Sequence, residues 1–269
     1  MYSLPEGPKY IHYIHHPPEA ILNDTKRFQT SLFWKLYTVP LRLFYNYSNL
    51  PADSSAAYFS NSSYTQEKIK QYYPDLHSIV VYPPVVDKQP VKFHPAIDKS
   101  INILSIGSFT PDKNQLSQLQ IAESIRDANF HLIGSKKSDS YYARCEHYMS
   151  EKELNNVQFL PNATEDEKVE ILANSQFFLH TKETEHFGVA IVEAIWSGLI
   201  PIIPNSGGQT EVVSIKELRY DSIEEAKNIL NRLIKSPPER LQKIHEQLIS
   251  KARQFTFNNF QKQMDRALE

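Results

Sequence analysis

The chain has 269 residues, 41% of them apolar, and its 29 basic and 31 acidic side chains leave a net charge of −2. That length holds one large α/β domain or two small ones, and the near-neutral balance offers no field to recruit nucleic acid. Cys145 stands alone, which excludes an internal disulfide framework or a cysteine zinc cluster. Pro5, Glu6 and Pro8 interrupt the N-terminus, so no signal peptide is expected. No uncharged apolar run reaches the roughly 18–20 residues of a membrane span. The expected place is the cytoplasm, with at most a peripheral contact on the cytoplasmic face of a membrane.

In chain order, residues 9–18 read as a strand that ends in His15, His16 and two prolines. A histidine at the carboxyl end of a parallel strand faces the cleft of an open sheet. Residues 28–50 are aromatic and aliphatic, with Lys35 and Arg42 interspersed and Pro40 breaking the pattern. They read either as core helices or as an interfacial helix that dips Phe33, Trp34, Leu43 and Phe44 into a headgroup layer. Residues 57–60 form a strand, and Ser62 or Ser63 caps a helix running to Tyr73, with Glu67 near capping-box spacing. Residues 79–82 are a further strand, closed by Pro83 and Pro84.

The second half of the pattern opens with a buried strand over 101–107 and a loop, 109–114, that carries Lys113. Strands over 130–134 and 157–160 flank a helical stretch at 141–154. A helix at 165–173 leads into the apolar strand 176–180. After Glu211 the periodic segments 222–234, 237–254 and 256–268 read as helices. Strands alternating with helices predict a parallel α/β sheet. Only 7 glycines are present, and from Gly107 onward most of them follow apolar runs, where such a sheet turns from strand to helix and places its ligand. Gly134 and Gly198 read as plain turn glycines.

The chemistry concentrates between Glu185 and Gly208. Glu185-His186-Phe187-Gly188 lies on a strand-to-helix loop. Val189, Val192, Ile195 and Trp196 recur at helical spacing, so a helix starts near Gly188 and carries Glu193 one to two turns in. Backbone N–H groups near Phe187 and Gly188 form a site for an anion. A second buried strand, 199–203, leads to Gly207-Gly208, a loop with room for phosphate. The pattern suggests a nucleotide diphosphate on backbone amides, with one carboxylate for a sugar and another for ribose hydroxyls.

This constellation, Glu-x-Phe-Gly-x4-Glu-Ala followed by a strand and Gly-Gly, resembles retaining glycosyltransferases of family 4, which have the GT-B fold. The version HTKETEHFGVAIVEAIWSGLIPIIPNSGG looks most like the α-1,2-mannosyltransferases that extend lipid-linked oligosaccharides in asparagine-linked glycosylation. The resemblance implies a complete C-terminal Rossmann-like domain (91–254), a partial N-terminal, acceptor-side domain (1–90) and a last helix (255–269) that crosses back to the first. The family's first domain has several βα units before the strand of His15. They are expected here from a further stretch of sequence or from a partner chain, unless the acceptor domain is pared down.

The resemblance also implies roles. Glu185, Lys113 and His15 are the catalytic candidates, and His15 matches the family's active-site histidine. The donor-binding set is Gly107, Lys113, Glu185, His186, Phe187, Gly188, Val189, Glu193, Gly207 and Gly208. The donor is a nucleotide sugar, GDP-mannose first, and the acceptor a glycan or polyprenyl-linked glycan, with no nucleic-acid partner. No Asp-x-Asp motif is present, so no metal is required, and no other cofactor is expected. Thr110 stands where the family has an arginine, and a hydroxyl cannot replace a bidentate guanidinium on phosphate. Two rival readings therefore stand beside the enzyme: a nucleotide-sugar-binding protein with little or no catalysis, and a subunit that completes a glycosyltransferase with a second chain. Family members acting on dolichol-linked acceptors have apolar surface in the region of residues 28–50, which favours the interfacial reading of that segment.

Overall fold

The computed structural model describes residues 10–17, 36, 38–40, 56–86, 89–95 and 100–269. The interfacial helix expected over residues 28–50 lies outside them, apart from residues 36 and 38–40. Among the described residues no helix is long and apolar enough to cross a membrane. Contacts divide the chain into two units, one holding the described residues up to Pro84 together with Phe257–Glu269, the other holding Val85–Thr256.

In the first unit β1 (Tyr10–Ile14), β2 (Ala56–Ser60) and β3 (Ser78–Val80) form a parallel sheet in that order. Helix α1 (Ser63–Tyr72) follows β2. It starts where Ser62, in extended conformation, accepts a 3.0 Å hydrogen bond from the Thr65 N–H. The third helical position is thus Thr65, and Glu67 closes no capping box.

The second unit is a six-stranded sheet of β4 (Ile101–Ile106), β5 (Ala128–Gly134), β6 (Val157–Pro161), β7 (Phe177–Leu179), β8 (Ile200–Pro204) and β9 (Arg219–Tyr220). All neighbours pair in parallel, in the order β6-β5-β4-β7-β8-β9. The helices are α2 (Gln115–Ser124), α3 (Asp139–Glu151), α4 (Glu165–Asn174), α5 (Val189–Trp196), α6 (Gln209–Val212), α7 (Ile223–Ile234) and α8 (Pro238–Ala252). Every residue of β7 and β8 is buried, as a strand covered on both faces requires. Helix α4 opens on a full capping box between Thr164 and Glu167. The last helix, α9 (Phe257–Leu268), belongs to the first unit, where Phe260 meets Tyr13 edge-on and Gln263 accepts the Tyr82 N–H at 3.1 Å.

This is the parallel α/β architecture that the alternating pattern predicts. The strand order fixes where a ligand goes. From β4 the chain winds outward through β5 and β6, then returns to β7 on the other side of β4 and winds outward through β8 and β9. The loops leaving the carboxyl ends of β4 and β7 therefore diverge, and the crevice between them is the natural binding place of a doubly wound sheet.

Gly134 is not a plain turn glycine, because a Cβ on it would lie 2.0 Å from the Gly107 carbonyl oxygen. Its bare backbone lets the end of β5 close against the loop that begins at Gly107, the loop that carries Lys113.

Candidate functional site

The two diverging loops meet through side chains. Lys113, on the β4–α2 loop, places Nζ 3.0 Å from Glu185 Oε2 on the β7–α5 loop. Lys182 reaches the other oxygen of the same carboxylate, with Nζ 3.2 Å from Oε1. His180, at the end of β7, brings Nε2 to 3.8 Å from Oε2. The Glu185 side chain is 18% exposed, so this is a largely buried carboxylate with two ammoniums and an imidazole around it.

A polar scaffold beneath the site fixes both loops. The Thr181 hydroxyl donates to the Lys113 carbonyl at 2.7 Å. Gln118, on α2, donates to Ser105 Oγ at 2.7 Å and to Thr181 Oγ1 at 2.8 Å. Gln209, fully buried, donates to the carbonyls of Lys182 and Pro204, both at 3.2 Å. The stem of Lys113 passes over Gly107, where an added Cβ would meet its Cδ at 3.4 Å, an ordinary contact. The Tyr220 hydroxyl holds the His180 carbonyl at 2.7 Å.

These surroundings set the charges. Burial alone would push the Glu185 carboxyl up, but the ammoniums of Lys113 and Lys182 outweigh it and hold the group down at about 2. Burial pushes the His180 imidazole down to about 4, against the pull of Glu185. At pH 7 the cluster is one carboxylate, two ammoniums and a neutral imidazole.

Of the residues singled out from sequence, Lys113, Glu185 and the loop from His186 to Val189 come together in this way. Gly188, at φ +106°, is the N-cap of α5, and the first N–H groups of that helix have no partners within it. Phe187 can offer only its backbone, because its ring is buried edge-on against Phe255 at 5.0 Å between centroids. Val189 is exposed at the first turn. Glu193 lies on α5, half-exposed, with Oε2 3.8 Å from Lys168 Nζ. His15 belongs to the first unit, where its Nδ1 lies 3.5 Å from Asn61 Nδ2.

The Gly207-Gly208 loop differs from its expected role. The Gly208 amide already donates to the Glu185 carbonyl at 2.7 Å, so it is not offered to a phosphate. Gly207 has φ +69°, and a Cβ there would lie 2.5 Å from the Glu185 carbonyl oxygen. Only a glycine lets this loop lie against the backbone of residue 185. The pair holds the carboxylate-bearing loop in place. Likewise the Gly107 amide is engaged with the Ile133 carbonyl at 2.9 Å. His180, Lys182, Gln118, Thr181 and Gln209 escaped the sequence reading. His180 and Lys182 sit five and three residues before Glu185, which was the available signal.

Residues 87–255 match the family model described as glycosyl transferases group 1. Over 166 residues the chain is 31% identical to the mouse (Mus musculus) GDP-Man:Man(3)GlcNAc(2)-PP-Dol alpha-1,2-mannosyltransferase, covering 55% of this chain and 34% of that protein. It is 26% identical over 248 residues to the Dictyostelium discoideum protein of the same name, covering 78% and 48%. The chain thus spans a third to a half of the length of these relatives. Among solved structures, Anabaena HepE in complex with UDP and glucose superposes with a TM-score of 0.71 at 18% identity, covering 96% of this chain and 70% of that one. Sucrose-phosphate synthase from Thermosynechococcus elongatus gives 0.73 at 14% identity, covering 95% and 66%. These likenesses place the fold among the GT-B glycosyltransferases.

The charge arrangement makes stability depend on pH. As pH falls from about 6.5 to about 4 at His180, and from about 4.5 to about 2 at Glu185, the unfolded chain binds more protons than the folded one. Stability therefore decreases on acidification through both windows. The Glu185 contribution, on the order of 3 kcal/mol, is present above the unfolded value and lost as pH falls through the folded one. A carbon-13 titration of the glutamate carboxyls should show one midpoint near 2. Lys113→Met should raise that midpoint by roughly 1–3 pH units. A Glu185 resonance titrating at the ordinary carboxyl value in both proteins would contradict the pairing.

Proposed function

This chain belongs to the group 1 glycosyl transferases, and on that footing we propose that it transfers a sugar, mannose in first place, from a nucleotide-diphosphate donor to a lipid-linked glycan with retention of configuration. The observation that carries this reading is the Lys113–Glu185 pair, 3.0 Å apart at the switch point of the second unit's sheet. The choice of mannose and of a lipid-linked acceptor is supported by the names of the mouse and Dictyostelium relatives.

The pair explains how one site serves both halves of a nucleotide sugar. Breaking the bond between the anomeric carbon and the diphosphate leaves the electron pair, and growing negative charge, on the diphosphate. The Lys113 ammonium and the first amides of α5 stabilise that charge. When Lys113 turns to phosphate, Glu185 Oε2 is released to accept hydrogen bonds from sugar hydroxyls. The carboxylate, ionised throughout, acts as an acceptor that orients the ring. Glu193, farther along α5, accepts from ribose hydroxyls. His15 is the acceptor-side candidate. The diphosphate charge is met by side chains and amides of the chain without a metal ion.

Thr110 favours a second reading. Its hydroxyl is turned to the Ser108 carbonyl at 3.2 Å, and a binding protein that holds the donor without turnover would tolerate this. Incubation with GDP-mannose and a dolichol-linked acceptor, with UDP-glucose as the alternative donor, decides between them. Transfer should occur, and Lys113→Ala should lower kcat about 10²–10³-fold, the loss typical of removing one group that stabilises developing charge. Donor binding with no transfer or hydrolysis would favour the binder. Unchanged turnover in Lys113→Ala would overturn the mechanism.

We also propose that the segment 28–50 brings the protein to an anionic membrane, each of Lys35 and Arg42 adding roughly 1 kcal/mol near the surface. In liposome flotation the wild type should rise with the vesicles at low salt, and a variant with Phe33, Trp34, Leu43 and Phe44 changed to serine should not. A wild type that stays in the soluble fraction would refute this.

A further inference from the structure

The donor reading leaves Lys182 without a task. One lysine is enough to neutralise Glu185, yet the carboxylate holds two, Lys113 on Oε2 and Lys182 on Oε1. His180, being neutral, adds no charge, so the cluster carries one positive charge more than its carboxylate balances. Two ammoniums sharing one partner also repel each other, more strongly where water is partly excluded. Their side chains are only 26% and 22% exposed. Such a surplus favours an anion at this place.

A second observation points the same way. His180 Nε2 is buried and has no hydrogen-bond partner, at 3.8 Å from Glu185 Oε2. Buried polar atoms are nearly always satisfied, so one that is not, and that faces the charged cluster, calls for an explanation, and an incoming ion or ligand supplies one.

Lys182 is also positioned with care. Its carbonyl accepts a hydrogen bond from the buried Gln209, and the residue before it, Thr181, holds the Lys113 carbonyl. The two lysines therefore stand on different loops tied to one scaffold and approach the carboxylate from its two oxygens. The β4–α2 loop itself offers no other cation: between Gly107 and Asn114 only Lys113 is basic, and Asp112 is acidic. A nucleoside diphosphate carries at least one negative charge on each phosphate, more than a single ammonium balances.

We propose that Lys182 is the second cation of the donor site, taking one phosphate of a nucleoside diphosphate while Lys113 takes the other. This rests on the reading of the crevice as a nucleotide-sugar site. On binding, the two ammoniums exchange one shared carboxylate for two phosphates, and both oxygens of Glu185 become available to the sugar. Lys182 thereby supplies, from the β7–α5 loop, the positive charge that Thr110 does not supply from the β4–α2 loop.

Calorimetric titration of the full chain with GDP, UDP, their nucleosides and the corresponding nucleotide sugars tests this. For the diphosphate that the wild type binds better, Lys182→Ala should weaken affinity about ten- to hundredfold, the range of a lost charge-assisted hydrogen bond. Affinity for the nucleoside should stay within about twofold, and Lys182→Arg should recover most of the loss, since a guanidinium also donates to phosphate. Lys182→Met, which keeps the stem, gives the same comparison should the alanine variant not fold. A folded Lys182→Ala or Lys182→Met protein that binds the diphosphate as the wild type does would overturn the proposal. So would a loss confined to the nucleotide sugar, which would make Lys182 a brace for Glu185. A wild type that binds neither diphosphate would instead remove the donor reading, and this proposal with it.

Discussion

A carboxylate taken largely out of water must be neutralised or compensated, and this constraint organises the second unit. Glu185 is compensated by lysines from two loops, one following β4 and one following β7. Those loops diverge because the sheet reverses its winding direction between these two strands. The ion pairs bridge the crevice that the topology opens. Removing Glu185 would leave two partly buried ammoniums without their shared partner. The buried layer beneath, Gln118 with Ser105 and Thr181, and Gln209 with Lys182 and Pro204, serves that requirement by fixing the backbone from which the charges project.

Glycine does the rest of the positioning, by absence of a side chain. Gly207 allows the loop after β8 to touch the backbone of residue 185, and Gly134 allows the end of β5 to touch Gly107. Each contact presses a neighbouring loop against one of the two charged loops. The site is therefore held from both sides by backbone proximity as well as by side-chain hydrogen bonds.

Much of this was legible in the sequence because the signals were local. The apolar runs over 176–180 and 199–203 read as buried strands, and they supply β7 and β8; the Glu185 to Gly208 stretch carries the family resemblance. Lys113 was marked by the resemblance of its loop to the family's, since a lone loop lysine is ordinarily a solvated charge. What escaped was long-range. Lys182 looks like any lysine near a glutamate in a loop until a fold brings the carboxylate between it and Lys113. Gln118 and Gln209 look like surface residues of helices, and nothing in their spacing says that they are buried. Gly208 misled because an exposed loop amide and an amide engaged with a neighbouring carbonyl have the same sequence. Residues 28–50 form a different case, since their readings differ by environment, core or membrane, and composition is the same in both.

We place the ligand across the carboxyl ends of β4, β7 and β8 in the second unit. Hydrogen–deuterium exchange of the full chain with and without GDP-mannose tests this placement most directly, because it reports each loop separately and requires no turnover. Added protection is expected in residues 107–116 and 180–193, with a smaller effect at 205–211, where the Gly208 amide is already bonded. A groove lined by Arg126, Asn129, Asn155 and Asn156 opens at the opposite edge, by the amino ends of β5 and β6. Protection confined to that groove, or no change in the three loops at a saturating concentration of the donor, would rule out this ligand position.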